Sequence, residues 1–486
     1  MADARDDRIG ELEAELAAKV ARIAEQDERI AEQGKRISTQ AEEIATLKAQ
    51  VAELLEKLNQ NSSNSHKPPS SDPPGNRHQR RAKAKEERRK RGGQKGHKGS
   101  HRELLPQEQV DKFVDHFPDE CESCWKPLPE IHDPHATRYQ YTEVPPIRPH
   151  TTEHRRHAVT CPDCKYVTRA PYDASQIPAS PLGPRLMSLI ALLTGFYHLS
   201  RRKAQGLLAD VLGVSLSLGA ISAVEERVSN AVEPAVGEVW DRVVDADVKH
   251  TDGTSWLQAG TAMSLWTIAT TAATVFKILA DGAKDTLRPL FRELKGILIS
   301  DRATALNFWA MALRQICWAH LLRRFVSFSE RDGPAGEIGR ELLGYTGILF
   351  EYWHDYRDGK ITRDRFVAWM APLRQQMEAV FEKAVALDIK GLSGSCANIL
   401  EHRQALWTFV ERDDVDPTNN HGERELRAFV LWRKRSFGTQ SERGNIFAER
   451  VMTIAHTARK QHKNVLAFLT ACCETPDAPP SLFDAA

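Results

Sequence analysis

An apolar residue at every seventh position, from residue 9 to residue 58, constrains this chain more than any other feature. The repeat consists of Ile9, Leu16, Ile23, Ile30, Ile37, Ile44, Val51 and Leu58. This spacing keeps the side chains on one face of a long helix and favours a left-handed coiled coil. In each heptad a second position also faces the partner helix, and this position is apolar at both ends of the repeat and polar in the middle. The number of helices in the coiled coil therefore stays open. We therefore predict a coiled coil that joins copies of the chain over residues 1–58, in preference to a lone solvated helix.

Residues 59–105 form a Ser-, Pro- and Gly-rich linker that cannot pack a core. Between Arg77 and Arg102 the linker carries twelve Lys or Arg residues against two Glu, although the whole chain has 67 basic and 66 acidic residues. Such a run is often only a solvated tail, but the glycines within it would let it follow a phosphate backbone and release counterions. We favour nucleic-acid binding, with the candidate contacts Arg80, Arg81, Arg88, Arg89 and Lys95.

Four of the eight cysteines fall in two Cys-x-x-Cys pairs within residues 106–178. Eight cysteines in 486 residues are too few for a disulfide scaffold, but two such pairs can supply four thiolates to one tetrahedral Zn²⁺. The alternative is chance pairing of reduced thiols. We predict a structural zinc module whose ligands are Cys121, Cys124, Cys161 and Cys164.

Two amphipathic helices separated by a short turn are predicted within residues 179–240. The first runs from Leu199 to Leu212 and ends at Gly213, and the second runs from Ser217 to Val228. This is the outline of a helix-turn-helix, whose second helix can enter a DNA major groove, although any helical hairpin has the same spacing. The candidate DNA contacts at the start of the first helix are Arg201 and Arg202.

The pattern changes after Trp240 to one typical of an α/β core. We predict a strand over Val243–Thr251, a hairpin over Leu265–Leu279, a helix over 281–295 and a buried strand over Gly296–Ser300. A helical insertion follows at about 326–410. The fold class is therefore multidomain α+β, with an α/β core over 241–450 and a C-terminal helix and tail over 451–486.

Three carboxylates occupy positions where such a core would bring them together. Asp252 ends the first predicted strand, Asp301 follows the buried strand, and Glu423 opens a helix. Taken singly, Asp252 would be a turn residue, Asp301 would be a helix cap, and Glu423 would be part of a capping box. Together they offer hard oxygen ligands for two Mg²⁺ ions, which can promote phosphoryl transfer. Arg427 lies one helical turn after Glu423 and would bind a phosphate beside the metal.

Several motifs around these carboxylates point to one family. Glu423 and Arg427 lie in Asn419-Asn420-His421-Gly422-Glu423-Arg424-Glu425-Leu426-Arg427, which is followed by Arg433-Lys434-Arg435-Ser436-Phe437-Gly438. These two segments resemble the transposases of the insertion-sequence 66 family. So do Cys317-Trp318-Ala319-His320, the Gly92–Gly99 segment and the linker from Asn61 to Asp72. The resemblance implies an RNase H-like catalytic core in which Asp252, Asp301 and Glu423 bind Mg²⁺ or Mn²⁺. It also supports the zinc finger and the helix-turn-helix.

The resemblance assigns further residues near the triad. Arg427, Arg433 and Lys434 are added to the candidate DNA contacts. Cys317 and His320 match a short motif that many such transposases carry near the second aspartate. Because two ligands are too few for a metal site, we predict a structural role for this pair at the edge of the active site.

The expected function is that of a DNA transposase that binds the inverted-repeat ends of an insertion sequence, cleaves them and joins them to target DNA. Two alternatives remain at this point: a catalytically silent DNA-binding protein derived from a transposase, and a structure-specific nuclease. Expected partners are DNA, further copies of the chain and accessory proteins of the element.

Nothing in the sequence suggests a membrane or secretion. The N-terminus is charged from Asp3 onward, and the most apolar stretch, Leu186–Tyr197, is shorter than the ~20 residues that a membrane span needs. We expect a protein of the bacterial cytosol, associated with the nucleoid.

Overall fold

The computed structural model describes residues 3–62, 64–65, 103–171, 177–178 and 180–484. The basic candidates of the linker, namely Arg80, Arg81, Arg88, Arg89 and Lys95, lie outside the described residues. By its internal contacts the chain divides into two units. One contains the N-terminal helix and residues 322–344, and the other contains the remaining described residues.

The heptad repeat forms one helix, α1 (Asp3–Asn59), of 57 residues. The described heptad side chains from Leu16 to Leu58 are 52–75% exposed. An amphipathic helix normally buries its apolar face, so this stripe is available to another helix of the same kind. The predicted helix is confirmed, and its association with other copies stays a prediction.

Residues just after α1 fold back on its end. Asn64 is buried, and its Nδ2 donates to the carbonyl oxygen of Asn59 at 3.1 Å and to Glu330 Oε2 at 2.7 Å. Arg331 Nη2 lies 2.6 Å from Glu56 Oε1. The first of these bonds satisfies the carbonyl of Asn59 at the end of a long helix, where the last carbonyls otherwise lack partners. The other two join the helix end to Glu330 and Arg331.

Residues 103–171 contain a two-stranded antiparallel sheet made of β1 (Ala158–Thr160) and β2 (Val167–Arg169). None of these residues is buried. A segment without a core depends on some other constraint for its shape, such as a bound metal.

Four helices follow, namely α2 (Pro184–Ala191), α3 (Arg201–Leu212), α4 (Leu218–Ala231) and α5 (Glu233–Asp245). Ser200 and Ser217 cap α3 and α4, because their hydroxyls accept from the backbone N–H groups of Lys203 and Ala220. Gly213 ends α3 with φ of +66°, a conformation that favours glycine. The predicted pair of helices with a glycine turn is confirmed.

The strand predicted from Val243 begins later than expected. Val243 is buried in α5 together with Ala235 and Val239, which share one helix face at a spacing of four residues. The first strand, β3, covers Val248–Gln258. The short run of β-branched residues suggests the two-residue repeat of a strand. The correct repeat is that of a helix, because the helical spacing extends further back along the chain.

The five-stranded sheet has the order β5-β4-β3-β6-β7. β4 (Thr261–Ala269) and β5 (Thr274–Leu279) form the predicted hairpin, antiparallel to each other and to β3. After α6 (Lys284–Phe291), β6 (Ile297–Ser300) and β7 (Arg314–Ile316) add in parallel on the other side of β3. The buried strand at Gly296–Ser300 is thus confirmed.

β3 continues through Asp252 instead of ending there. Its antiparallel pairing with β4 extends to Gln258, so Asp252-Gly253 is not a turn. Gly253 lies under the ring of Trp266, where an added Cβ would come within 2.9 Å of the indole. The glycine therefore serves close packing between the two strands.

A run of helices separates the sheet from the last part of the core. It comprises α7 (Trp318–Ser329), α8 (Gly333–Arg357), α9 (Arg363–Ala386), α10 (Ser393–Glu401), α11 (Arg403–Leu406) and α12 (Thr408–Glu411). The chain then returns to the sheet with α13 (Asn420–Ser436) on β3 and β4, and α14 (Glu442–Lys460) on β5. The last helix is α15 (Val465–Glu474). The predicted mixed α+β core with a helical interruption is confirmed.

Two apolar clusters hold this core. The larger one joins α2–α5, the sheet, α14 and α15. The smaller one lies between the sheet and α13, and its large members are Trp256, Phe276, Phe429 and Trp432. Within the described ranges, no helix combines the length and the apolar character that a membrane span requires.

Candidate active site

Asp252 lies within β3, and Asp301 directly follows β6, the parallel strand beside it. His250 of β3 is paired with Ile299 of β6 in the last pair of this register, and each aspartate lies two residues beyond its strand's member of that pair. Adjacent strands are ~4.8 Å apart, and residues at the same register of a parallel pair point to the same face. Both aspartates are half-buried. The two carboxylates therefore lie toward the same end of this strand pair, where β6 ends and β3 continues.

The loop that carries Asp301 is held by a buried cation. Arg314 of β7 is fully buried, and its guanidinium donates to the carbonyl oxygen of Asp301 at 2.9 Å and to Ser300 Oγ at 3.2 Å. Burial lowers the pKa of Arg314 to about 10, while the charge of Asp301 opposes that change, so the guanidinium stays charged at neutral pH. The Asp301 carboxylate also accepts the N–H of Ala303 at 2.9 Å, which is a local turn; the predicted helix cap is absent, because the next helical turn begins at Thr304 after Ala303 and has no side-chain cap.

Asn419 connects the start of α13 to β3. Its side chain is fully buried; Nδ2 donates to the carbonyl oxygen of Thr251 at 2.7 Å, and Oδ1 lies 3.2 Å from His250 Nδ1. The N-cap of α13 is Asn419, whose side chain makes no capping bond, so Asn420 does not occupy the N-cap position that the predicted capping box with Glu423 requires. Asn419 instead binds the strand next to Asp252, which fixes the start of α13 against β3.

Cys317 supports the same junction from the other side. It is buried immediately before α7, and its Sγ accepts the N–H of Asn419 at 3.1 Å. Burial raises the pKa of the Cys317 thiol to about 11, although the backbone N–H groups of Asn419 and His320 oppose the rise.

Glu423 lies in the first turn of α13 with its side chain 28% exposed. Its Oε1 is 3.5 Å from His320 Nδ1. Among the described residues, the only three metal-binding side chains whose ligand atoms all lie within 4.8 Å of one another are Cys317, His320 and Glu423. The carboxylates of Asp252, Asp301 and Glu423 are thus spread more widely than the ligands of a single ion.

Glu425, two residues further along α13, has a different environment. Its carboxylate lies 2.5 Å from His456 Nδ1 and 3.2 Å from Lys460 Nζ, both on α14. Burial raises the pKa of Glu425, but the bond to His456 and the charge of Lys460 outweigh it and lower the pKa to about 2. This carboxylate joins two helices and is unsuited to replace Glu423 as a metal ligand.

The predicted DNA contacts on α13 differ in their surroundings. Arg427 and Lys434 are exposed on the face that continues from Glu423. Arg433 is half-buried and donates to Thr254 Oγ1 at 3.1 Å and to Ser255, and burial lowers its pKa. Arg433 therefore fastens α13 to β3, whereas the other two are open to solvent.

The candidates at the start of α3 also differ. Arg201 Nη2 lies 2.5 Å from Glu225 Oε2, a nearly buried carboxylate on α4, so this arginine joins the two helices. Arg202 is exposed. Arg443 of α14 donates to Ser222 Oγ and to Glu226 of α4, which covers part of that helix.

The two Cys-x-x-Cys pairs adopt the same turn. The N–H of Trp125 donates to the carbonyl oxygen of Cys121 at 2.9 Å, and the N–H of Lys165 donates to that of Cys161 at 3.0 Å. Trp125 and Lys165 both have positive φ, at 58° and 65°. Backbone N–H groups that follow each first cysteine lower the pKa of Cys121 and Cys161. The four sulfurs do not form one cluster of atoms within 4.8 Å.

Sequence reasoning missed the residues that hold the site in place. Arg314 is the first residue of the three-residue strand β7, and no local pattern marks it as buried. Asn419 lies inside the motif that contains Glu423. The pairing of Asn419 with β3 joins residues 168 positions apart, and no local pattern predicts it.

Comparisons with known proteins agree with this picture. The model of a family of unknown function (DUF6444) matches residues 2–103. A segment of 168 residues is 25% identical to an uncharacterized protein, y4jO, of Sinorhizobium fredii and covers 34% of this chain. The match spans 48%, or about half, of that curated relative's length. The model described as "Transposase IS66 family" matches residues 179–446, more than half of the 486 residues. The chain therefore belongs to the IS66 transposase family.

Proposed function

We propose that this protein is a DNA transposase that binds the inverted-repeat ends of an insertion sequence and catalyses strand cleavage and strand transfer. The observation that carries the proposal is the parallel pairing of β3 with β6, which would set Asp252 beside Asp301, together with the bond from Asn419 that fastens the start of α13 to β3. The strand order, three antiparallel strands extended by two parallel ones, supports an RNase H-like core.

The three half-buried carboxylates suit a pair of Mg²⁺ or Mn²⁺ ions. Carboxylate oxygens are the hard ligands that these ions prefer, and partial exposure lets a phosphodiester approach them. When bound, two such ions would activate the attacking oxygen and stabilise the leaving oxygen of an in-line displacement. The chain's own part is to hold Asp301 through Arg314 and to hold Glu423 through the junction of Asn419 and Cys317.

DNA would lie along the exposed side of α13 and continue to the helical pair. Arg427 and Lys434 extend from Glu423 along one helix face, where they would bind phosphates next to the reacting bond. Arg202 provides an exposed cation at the start of α3. The glycine-rich basic linker would add sequence-independent affinity.

The remaining modules would organise the complex. Zn²⁺ at Cys121, Cys124, Cys161 and Cys164 would supply the constraint that residues 103–171 lack, and the matched turns of the two pairs support this role. The exposed heptad stripe of α1 would join two or more copies, so that two element ends meet in one complex. This arrangement, in the cytosol of a bacterium and with accessory proteins of the element, is part of the proposal.

The test is Mg²⁺-dependent nicking of DNA that carries the inverted repeats flanking the gene. Wild-type protein is expected to nick the repeat ends, and Glu423→Gln is expected to bind the same DNA without cutting it. Glu442→Gln removes the same charge from an exposed position at the start of α14 and serves as the matched control.

Three other outcomes would contradict the proposal. Equal nicking by wild type and Glu423→Gln would remove Glu423 from the metal site. Cleavage of branched DNA regardless of the end sequence would indicate a structure-specific nuclease. Binding to the ends without cleavage by either protein, with accessory proteins supplied, would indicate a silent DNA-binding protein.

A further inference from the structure

The cluster of Cys317, His320 and Glu423 has chemistry that the proposed magnesium site does not use. Its three ligand atoms lie within 4.8 Å of one another and comprise a thiol sulfur, an imidazole nitrogen and a carboxylate oxygen. Sulfur and imidazole ligands select borderline or soft transition metals, whereas Mg²⁺ prefers oxygen. We propose that these three side chains form a second metal site, specific for a transition-metal ion such as Zn²⁺, and that its occupation competes with Mg²⁺ for Glu423. The competition rests on the proposed function, and the binding itself does not.

The distances fit such an ion with small movements. Zn–N and Zn–O bonds of about 2.0–2.2 Å at a tetrahedral angle separate the two donor atoms by about 3.4 Å. His320 Nδ1 and Glu423 Oε1 are 3.5 Å apart. With a Zn–S bond of about 2.3 Å, the sulfur would lie about 3.6 Å from each of them. Because the cluster lies within 4.8 Å, about 1 Å of side-chain movement is enough to close it.

The surroundings orient the ligands in advance. Cys317 and His320 are three residues apart across the start of α7, so one helical turn presents both to the same point. The N–H of Asn419 donates to the Cys317 sulfur at 3.1 Å, and such outer contacts fix a ligand and strengthen metal binding.

Charge and access are also suitable. A thiolate, a neutral imidazole and a carboxylate together neutralise one divalent cation, which avoids leaving a net charge in a largely buried place. The cysteine is buried and the His320 side chain is 11% exposed, while Glu423 at 28% faces solvent and gives the ion a way in. Three protein ligands leave a fourth position for water.

Sharing Glu423 gives the site a regulatory consequence. A carboxylate oxygen that is bonded to Zn²⁺ beside His320 is less available to an ion at Asp252 and Asp301. A second divalent cation a few ångströms away also repels ions at the aspartates. Zinc is therefore expected to inhibit magnesium-supported cleavage through Cys317 and His320.

Binding is tested with Co²⁺ as a spectroscopic substitute for Zn²⁺ on the full, metal-depleted chain. Wild type is compared with Cys317→Ser, with His320→Gln, and with Cys472→Ser, which makes the same change at another buried cysteine far along the chain. Wild type and Cys472→Ser should bind one more Co²⁺ per chain than the two site variants. The extra ion should contribute thiolate-to-cobalt absorption in the near ultraviolet. The difference between variants separates this site from the four cysteines of the zinc module.

Equal cobalt binding and equal absorption in all four proteins would overturn the proposed site. His320→Gln keeps this test valid if Cys317→Ser fails to fold, because it leaves the contact between Cys317 and Asn419 intact. In the nicking assay, zinc should inhibit wild type, and each site variant should need about tenfold more zinc or more for the same fractional inhibition. Equal sensitivity would overturn the competition. If wild type does not nick DNA at all, the proposed function fails while the cobalt result still decides the metal site.

Discussion

Replacing Asn419 by alanine is the sharpest test of how this active site is assembled. The amide side chain joins the start of α13 to β3 by two contacts, to the Thr251 carbonyl oxygen at 2.7 Å and to His250 Nδ1 at 3.2 Å. Alanine removes both and leaves two polar groups in a fully buried place. Each buried polar group that loses its partner costs about 1–3 kcal/mol. We therefore expect Asn419→Ala to lower the free energy of unfolding by about 2–6 kcal/mol.

The effect on catalysis should exceed the effect on stability. Glu423 lies one helical turn after Asn419, and a displacement of about 1 Å at a catalytic group can cost about 100-fold in rate. Under conditions where the variant remains folded, nicking of repeat-end DNA should therefore fall by about that factor. Binding of the same DNA should change little, because the exposed cations of α13 remain.

The assay is urea unfolding followed by tryptophan fluorescence, combined with nicking rates measured well below the unfolding midpoint. Asn420→Ala is the matched control, because Asn420 is the adjacent asparagine and is exposed. Its unfolding free energy should stay within about 0.5 kcal/mol of wild type. If Asn419→Ala matches wild type in both stability and nicking rate, the junction does not support the site and the reasoning is refuted.

Three further predictions follow from the same contacts. Glu425 is ionised in the fold with its pKa lowered to about 2, so its contribution to stability is present above its usual pKa of 4.5 and is lost as the pH falls below it. Glu425→Gln should lower the free energy of unfolding at pH 7 by about 2 kcal/mol, allowing for partial solvent screening. In acid titrations, the free energy of unfolding of this variant should fall less steeply between pH 5 and pH 3 than that of wild type. A variant whose stability depends on pH as strongly as that of wild type would contradict this. Arg314→Met should destabilise by about 3–5 kcal/mol in urea unfolding, because several backbone and side-chain acceptors lose a buried donor, and an unchanged midpoint would exclude that role. Arg427→Ala and Lys434→Ala should each lower by about 1 the slope of log affinity for DNA against log salt, measured by fluorescence anisotropy, and unchanged slopes would place the DNA elsewhere.

Local patterns were sufficient for the elements whose signals are local. The heptad spacing predicted α1, Gly213 predicted the end of α3, and Ser217 predicted the start of α4. The sequence also predicted the hairpin of β4 and β5 and the apolar strand β6. Their side chains face neighbouring residues along most of their length, which makes their strand pattern visible. The sequence analysis wrongly placed Val243 in a strand. A short run of β-branched residues does not distinguish a strand from the buried face of a helix.

The position of Asp252 shows where local reasoning ends. Asp-Gly is a common turn pair, yet here the strand runs on because β4 continues to pair with it and Trp266 covers the glycine. Whether Asp252 ends a strand or lies within one depends on how far its neighbour extends. That information is in residues 261–269 and not in the Asp-Gly pair.

By itself the sequence determined that Glu423 and Glu425 lie in one helix, two residues apart, within a motif typical of one family. Only the tertiary structure decided their different roles. Successive helical residues turn by about 100°, so these two carboxylates point in nearly opposite directions. The side that faces β3 and His320 is fixed by Asn419 and Cys317, and the side that faces His456 and Lys460 is fixed by the packing of α14. Contacts between residues far apart in the chain therefore leave Glu423 partly exposed beside His320 and pair Glu425 with His456 and Lys460.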